Sequence, residues 1–342
     1  MQLLLILIFF SNISIAELVD EGAAHDRKGA GAFSMQEKPS LKTLGEQLKD
    51  TSGIASLFIA SKNLVDPVVA SDKLDKKSIA SLTEKIEKLW KDNESVIKIW
   101  LKNDQDSNPY LRGEIDEEKV LNNLLFAVQL SILKARVEVR QRQWTQVKLE
   151  MAPWFVFASD LTYDEASLIS LRLANLVRSL LLDDLESMES LMQSQFSAKD
   201  LESWENWVTS IRSSWPIDRV LLTEAKKTMG GRALYTAQKV AAALQKNAYQ
   251  TAAEALKEAP GPKPPELKQL ETMWRDQDIL AMKTEVHRFT ALRIRLAKNL
   301  FVKNYSREPA RIEDLVEKHL LASVPIDYIS GRPFTLSEAA LH

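Results

Sequence analysis

Apolar residues recur every three or four positions along most of this chain, the spacing that places them on one face of an α-helix. The pattern takes over at about residue 75, where Ile79, Leu82, Ile86, Leu89, Trp90, Ile97, Trp100 and Leu101 share a face. Asn103 to Pro109 supplies breakers, and Val120, Leu121, Leu124, Leu125, Val128, Ile132 and Leu133 mark a second helix over about 116–142. Trp144 opens a further helical segment, in which Pro153 predicts a break or a first turn. Thr162 and Glu165 form a capping-box pattern ahead of a long helix over about 164–194, with Leu173, Leu176, Val177, Leu180, Leu181, Leu185, Met188 and Met192 inward. Ser197 to Asp200 predicts a cap for a helix carrying Leu201, Trp204, Trp207, Val208 and Ile211, ended by Pro216. A helix over about 217–229 stops at Gly230-Gly231, and 233–258 is Ala-rich and helical. The last long helix, about 276–303, is amphipathic through Ile279, Met282, Val286, Phe289, Leu292, Leu296, Leu300 and Phe301.

No segment alternates with period two, so the predicted fold class is all-α. Short connections predict antiparallel helical hairpins stacked as a bundle or short irregular solenoid, with a small C-terminal helix-turn module. Gln143 to Val147 and Ala248 to Ala253 each set an aromatic residue between a polar turn and a helix, in the style of tetratricopeptide hairpins. The regular period of about 34 residues is missing. The organisation read from the chain is a signal peptide over 1–16, a mobile leader over 17–53 and a helical domain over 54–258. A Pro-rich linker over 259–265 follows, then the long helix and C-terminal module over 266–342. The linker region holds four of the twelve prolines.

Leu3 to Phe10 is wholly apolar, Ser14-x-Ala16 is a small-x-small site, and Glu17, Asp20 and Glu21 follow. That order predicts a secretory signal peptide cleaved after Ala16, with an uncleaved anchor as the other reading. Localisation is then secreted or periplasmic. Composition narrows the chemistry. The chain has 342 residues, 45 Lys+Arg against 47 Asp+Glu and a formal charge of −2, which argues against a dedicated nucleic-acid binder. It has no Cys, so disulfides, thiolate metal sites and a catalytic thiol are excluded. Ten glycines among 342 residues leave little material for phosphate-cradling loops. No nucleophile elbow, His-Glu-x-x-His or Walker loop occurs. No catalytic, cofactor-binding or metal-binding set is assigned.

The most specific pattern is C-terminal: Tyr305-Ser306-Arg307-Glu308-Pro309, then Ile312, Leu315 and Val316, then Val324-Pro325-Ile326-Asp327, and Ser330-Gly331-Arg332-Pro333-Phe334. This segment resembles the ending of an uncharacterised family of secreted or membrane-tethered helical proteins of planctomycete-like bacteria. It is also similar to the segment that ends the globular part of type II secretion major pseudopilins. The resemblance implies a Pro-started helix with an apolar face and a turn around Asp327, and it implies no activity. In pseudopilins a comparable loop binds calcium. Asp327 is the only carboxylate between Glu317 and Glu338, whereas calcium takes six to eight oxygens, so a structural turn is the expected role.

The remaining candidates read mainly as structure. The acidic run Asp183, Asp184, Glu186 and Glu189 is expected to be the solvated face of its helix. The basic set Arg288, Arg293, Arg295, Lys298 and Lys303 is expected to form salt bridges to neighbouring helices. His287 and Trp90, Trp100, Trp204 and Trp207 are expected to pack in the core. Two functions from different classes stay open. One is a non-enzymatic protein that binds a partner or supports an envelope assembly. The other is a cell-envelope hydrolase using carboxylates such as Asp160, Asp164 or Glu165 in a helical groove.

Overall fold

A computed structural model describes residues 46–65, 76–104, 118–162, 168–211, 215–229, 231–246, 249–258, 263–327 and 329–340. The signal-peptide reading, most of the leader, and Asp164 and Glu165 lie outside these residues. Of the described residues 79% are α-helical, in thirteen helices, and none forms a strand. The fold is all-α.

Helices α1 (Ile54–Ala60), α2 (Lys76–Asp104), α3 (Glu118–Arg140), α4 (Trp144–Asp160), α5 (Leu168–Gln195) and α6 (Ala198–Ser210) build the first body. A second layer holds α7 (Ile217–Thr228), α8 (Gly231–Gln245), α9 (Tyr249–Lys257) and α10 (Pro265–Arg275). Then come α11 (Asp278–Tyr305), α12 (Glu313–Glu317) and α13 (Leu336–Ala339). Helices joined by short turns pack on one another: α3 on α4, α7 on α8 and α8 on α9. Only three residues join α3 to α4, so the two helices must reverse direction to pack along each other. Among the described residues no helix is long and apolar enough to cross a membrane.

Ser197 caps α6 as its sequence predicts: its hydroxyl accepts from the Asp200 N–H at 3.3 Å, and Asp200 Oδ2 accepts from the Ser197 N–H at 3.0 Å. The Ala-rich stretch forms two helices, α8 and α9, the second opening at Tyr249. Gly231, at φ +53, starts α8 in a conformation that suits glycine. Pro153 does not break α4, which runs continuously through it. Its missing N–H deprives only the Leu149 carbonyl of its helical donor. Leu149 is exposed, while Met151, Trp154, Phe155 and Ala158 hold the other side of the helix in the core.

Helix α11 is the spine of the molecule. Its first turns put Ile279 and Met282 into a core shared with α7 to α10. Phe289, Leu292, Leu296 and Leu300 join the core of the first body. Ala291, Ile294, Ala297 and Phe301, on the opposite side, form a third cluster with Ile312, Leu315, Leu321 and Phe334. The helix is therefore buried on two faces, where its sequence predicts one stripe. Residues on either side of 259–265 share cores, so packing runs across the Pro-rich segment.

Candidate functional site

The C-terminal motif folds into a tight turn. The Asp327 N–H donates to the Arg332 carbonyl at 2.8 Å, the Gly331 N–H to the Asp327 carbonyl at 2.7 Å, and the Phe334 N–H to the Pro325 carbonyl at 2.9 Å. Ile326 and Pro333 form an isolated antiparallel bridge. Gly331 sits at φ +72 and permits the reversal. The Asp327 side chain closes the turn from inside, accepting from the Ile329 N–H at 2.9 Å and the Ser330 N–H at 2.9 Å.

Asp327 also docks the turn on α11. His287 Nδ1 lies 2.5 Å from Asp327 Oδ1, and the two residues are 7% and 8% exposed. The His287 ring packs against Phe334 with centroids 4.8 Å apart. Burial opposes ionisation of Asp327, but the donors from Ser330, Ile329 and His287 outweigh it and hold the carboxyl well below the usual carboxylate range. The carboxylate thus organises a turn, and His287 is more than packing: it is the partner of that carboxylate. The expected Pro-started helix begins later than its sequence suggests. Asp314 accepts from the Ala310 N–H at 2.7 Å, and α12 starts only at Glu313. The turn carries two isoleucines into solvent, Ile326 at 50% and Ile329 at 45% exposure, beside the exposed Ser330 and Arg332.

The acidic run corrects its sequence reading as a solvated face. Asp184 is buried and takes Arg136 in a two-pronged pair, at 2.6 and 2.8 Å. Asp183 and Glu186 bind Arg288 at 2.6 and 2.5 Å, and Glu189 binds Arg295 at 2.6 Å. Helix α5 packs between α3 and α11, so both of its polar edges face cations. The basic set behaves mostly as expected: besides Arg288 and Arg295, Lys298 pairs with Glu308 at 3.0 Å and Arg293 donates to Thr209 Oγ1 at 3.0 Å. Lys303 is exposed. Trp90 and Trp204 are buried and Trp207 is half-buried, with the Trp204 and Trp207 rings edge-to-face at 5.0 Å. The Trp100 side chain lies outside the described residues. Asp160 is half-buried at the end of α4.

Sequence reading missed a second charged group, between α2, α3 and α4. Lys134 Nζ lies 3.1 Å from Glu87 Oε1 and 3.5 Å from Glu138 Oε1, and Lys98 pairs with Glu94 at 2.5 Å. Burial, and next the Glu138 charge, push the half-buried Glu150 carboxyl up to about 7 against the pull of Lys134 and Lys98. Burial also raises Glu138. It missed two buried pairs as well, Arg136 with Asp184 and Arg178 with Glu285, the latter at 2.8 Å with Trp215 Nε1 donating to Glu285 at 3.0 Å. The signal was present. Arg136, Arg178 and Glu285 each sit at a core register of an apolar stripe, where an ionisable residue needs a partner.

No protein-family model matches this chain, nor is any curated protein or solved structure similar to it. Fold and site together define an all-helical hairpin protein with a docked C-terminal turn module.

Proposed function

We propose that the chain is an exported, non-enzymatic helical protein that binds a partner protein, or supports an envelope assembly, through its C-terminal turn. The observation that carries this reading is the exposure of Ile326 and Ile329 on a backbone fixed by Asp327 and His287. Asp327, Ser330 and Gly331 are ordinary turn residues, and the two exposed isoleucines set among them are not needed to form the turn. A rigid turn presenting isoleucines also loses little freedom on binding, which favours association. The likeness of this segment to the pseudopilin module supports an assembly role.

The test is photo-crosslinking in the native envelope, with the reactive group at Ile329 or at the exposed Tyr235 of α8. A discrete adduct is expected from Ile329 only, and Ile326→Asp should abolish it without moving the melting temperature. Equal labelling from both positions sinks the reading. Export rests on the apolar run from Leu3 to Phe10 and the Ser14-x-Ala16 site. N-terminal sequencing of the native protein should begin at Glu17, and an intact Met1 in the membrane fraction would instead support the anchor.

One observation favours the hydrolase reading: Glu150, a carboxyl held near neutrality beside Glu138, has the character of a general acid. The groove of about 590 Å³ between α1 and α2 does not help it, being lined by Ser56, Leu57, Ser81, Leu82, Lys85 and their neighbours with no carboxylate. Cell-wall hydrolysis by the pure protein, lost in Glu150→Gln, would favour the enzyme over the binding protein.

A further inference from the structure

We infer that the outer face of α4, with the acidic edge it shares with α2 and α3, receives a basic amphipathic helix from a partner protein. The inference rests on the partner-binding reading above but uses a surface other than the 326–329 turn.

Leu149, Pro153 and Val156 follow one another at steps of four and three, a single line along the outside of α4. Leu149 is 60% exposed and Val156 48%. An apolar line with that spacing matches the anchors of a second helix laid against it. Beside it, Pro153 leaves the Leu149 carbonyl without its helical donor, so a hydrogen-bond acceptor borders the apolar line.

Charge selects the partner. Among the described residues, Glu87, Glu94, Glu138 and Glu150 meet Lys98 and Lys134 in this cluster, two carboxylates in excess. The Glu138 side chain is 3% exposed, and its Oε2 meets no hydrogen-bond donor among the described residues. A buried carboxylate oxygen without a donor is costly, and an added cation nearby offsets that cost. Glu150 is half-buried, feels the Glu138 charge, and stands next to Leu149 in the chain, so it joins the buried carboxylate to the apolar line. A Lys or Arg beside the apolar anchors of an incoming helix would meet Glu150 and Glu94. An acidic helix would be repelled.

The pH dependence follows from the same groups. Glu150 faces Glu138 and Lys134 of α3 and Glu94 and Lys98 of α2. Its carboxyl loses a proton as pH rises through about 7, so a cationic partner should bind more tightly above that pH than below it.

The experiment uses the full chain and two designed helical peptides of about 20 residues, long enough to fold, one of Leu and Lys and one of Leu and Glu. Binding is followed by fluorescence anisotropy. The Leu/Lys peptide should bind saturably at one site, about tenfold or more weaker to Leu149→Asp and to Val156→Asp. Both positions are exposed, and unchanged thermal melts would confirm folding. Glu150→Gln should remove the rise in affinity across neutral pH, and Ile326→Asp should leave binding intact. Equal binding of the Leu/Glu peptide, or indifference to both α4 variants, overturns the inference. Loss of peptide binding in Ile326→Asp would also overturn it, while leaving the turn as the docking surface.

Discussion

Arg136→Ala is expected to cost about 3–5 kcal/mol of folding stability, the largest effect of any single substitution proposed for this protein. Arg136 is 1% exposed and holds three elements at once. Its Nε and Nη2 bind both oxygens of Asp184 on α5, and its Nη1 donates at 2.6 Å to the Phe58 carbonyl and at 2.6 Å to Ser61 Oγ, at the end of α1. The guanidinium also lies 4.2 Å from the Phe58 ring centroid. Removing it leaves a carboxylate, itself 2% exposed, in a low-dielectric site without its counter-charge. Urea unfolding of wild type, Arg136→Ala and Arg136→Met/Asp184→Leu measures this. The double variant should recover much of the loss, because replacing both charges by apolar groups removes the unpaired one. If Arg136→Ala alone unfolds at the wild-type midpoint, the pair contributes nothing to the fold.

Leu315→Ala is expected to cost about 2–5 kcal/mol, the range for emptying a fully buried leucine site. Leu315 is 0% exposed, in the cluster that joins α12 to Ala291, Ile294, Ala297 and Phe301. A helix of five residues cannot hold itself, so the loss should uncouple the whole module. Asp327→Ala should cost about 1.5–3 kcal/mol, more than a simple turn residue, because a charged acceptor with two backbone donors and a buried histidine partner disappears. This part depends on pH. The folded-state pKa of Asp327 lies below its unfolded value, so the stabilisation is present above about pH 4 and is lost as acid protonates the folded carboxyl. The difference between wild type and Asp327→Ala in urea should therefore shrink on acidification. A difference that grows in acid would show that the carboxylate is not the stabilising form. A neutral Leu315→Ala would show that the module hangs free of α11.

The helices themselves were legible because period and caps are local. Leu173 to Met192 spells out the inward side of α5, and Ser197 with Asp200 announces the start of α6. Pro153 misled because local rules weigh a missing hydrogen bond and cannot weigh the buried residues that hold α4 straight across it. The turn at Asp327 was readable from Pro325, Gly331 and Pro333. Its partner was not, since His287 lies forty residues away and only the path of the chain brings them together.

Charge divides in the same way. That Asp183, Glu186 and Glu189 share one edge of α5 and Asp184 lies on another follows from spacing alone, but whether either edge meets water or a neighbouring helix depends on what packs beside it. Here α3 and α11 bring Arg136, Arg288 and Arg295 to them. By itself the sequence determined the long amphipathic helices, set by neighbours a few residues apart, and the absence of thiol chemistry, but not the short helices α1 and α10 or the start of α12. The tertiary structure decided which ionised groups are buried, which are paired, and that α4 and the 326–329 turn leave apolar side chains in solvent. Burial and pairing are properties of packing between distant segments, and no local pattern carries them.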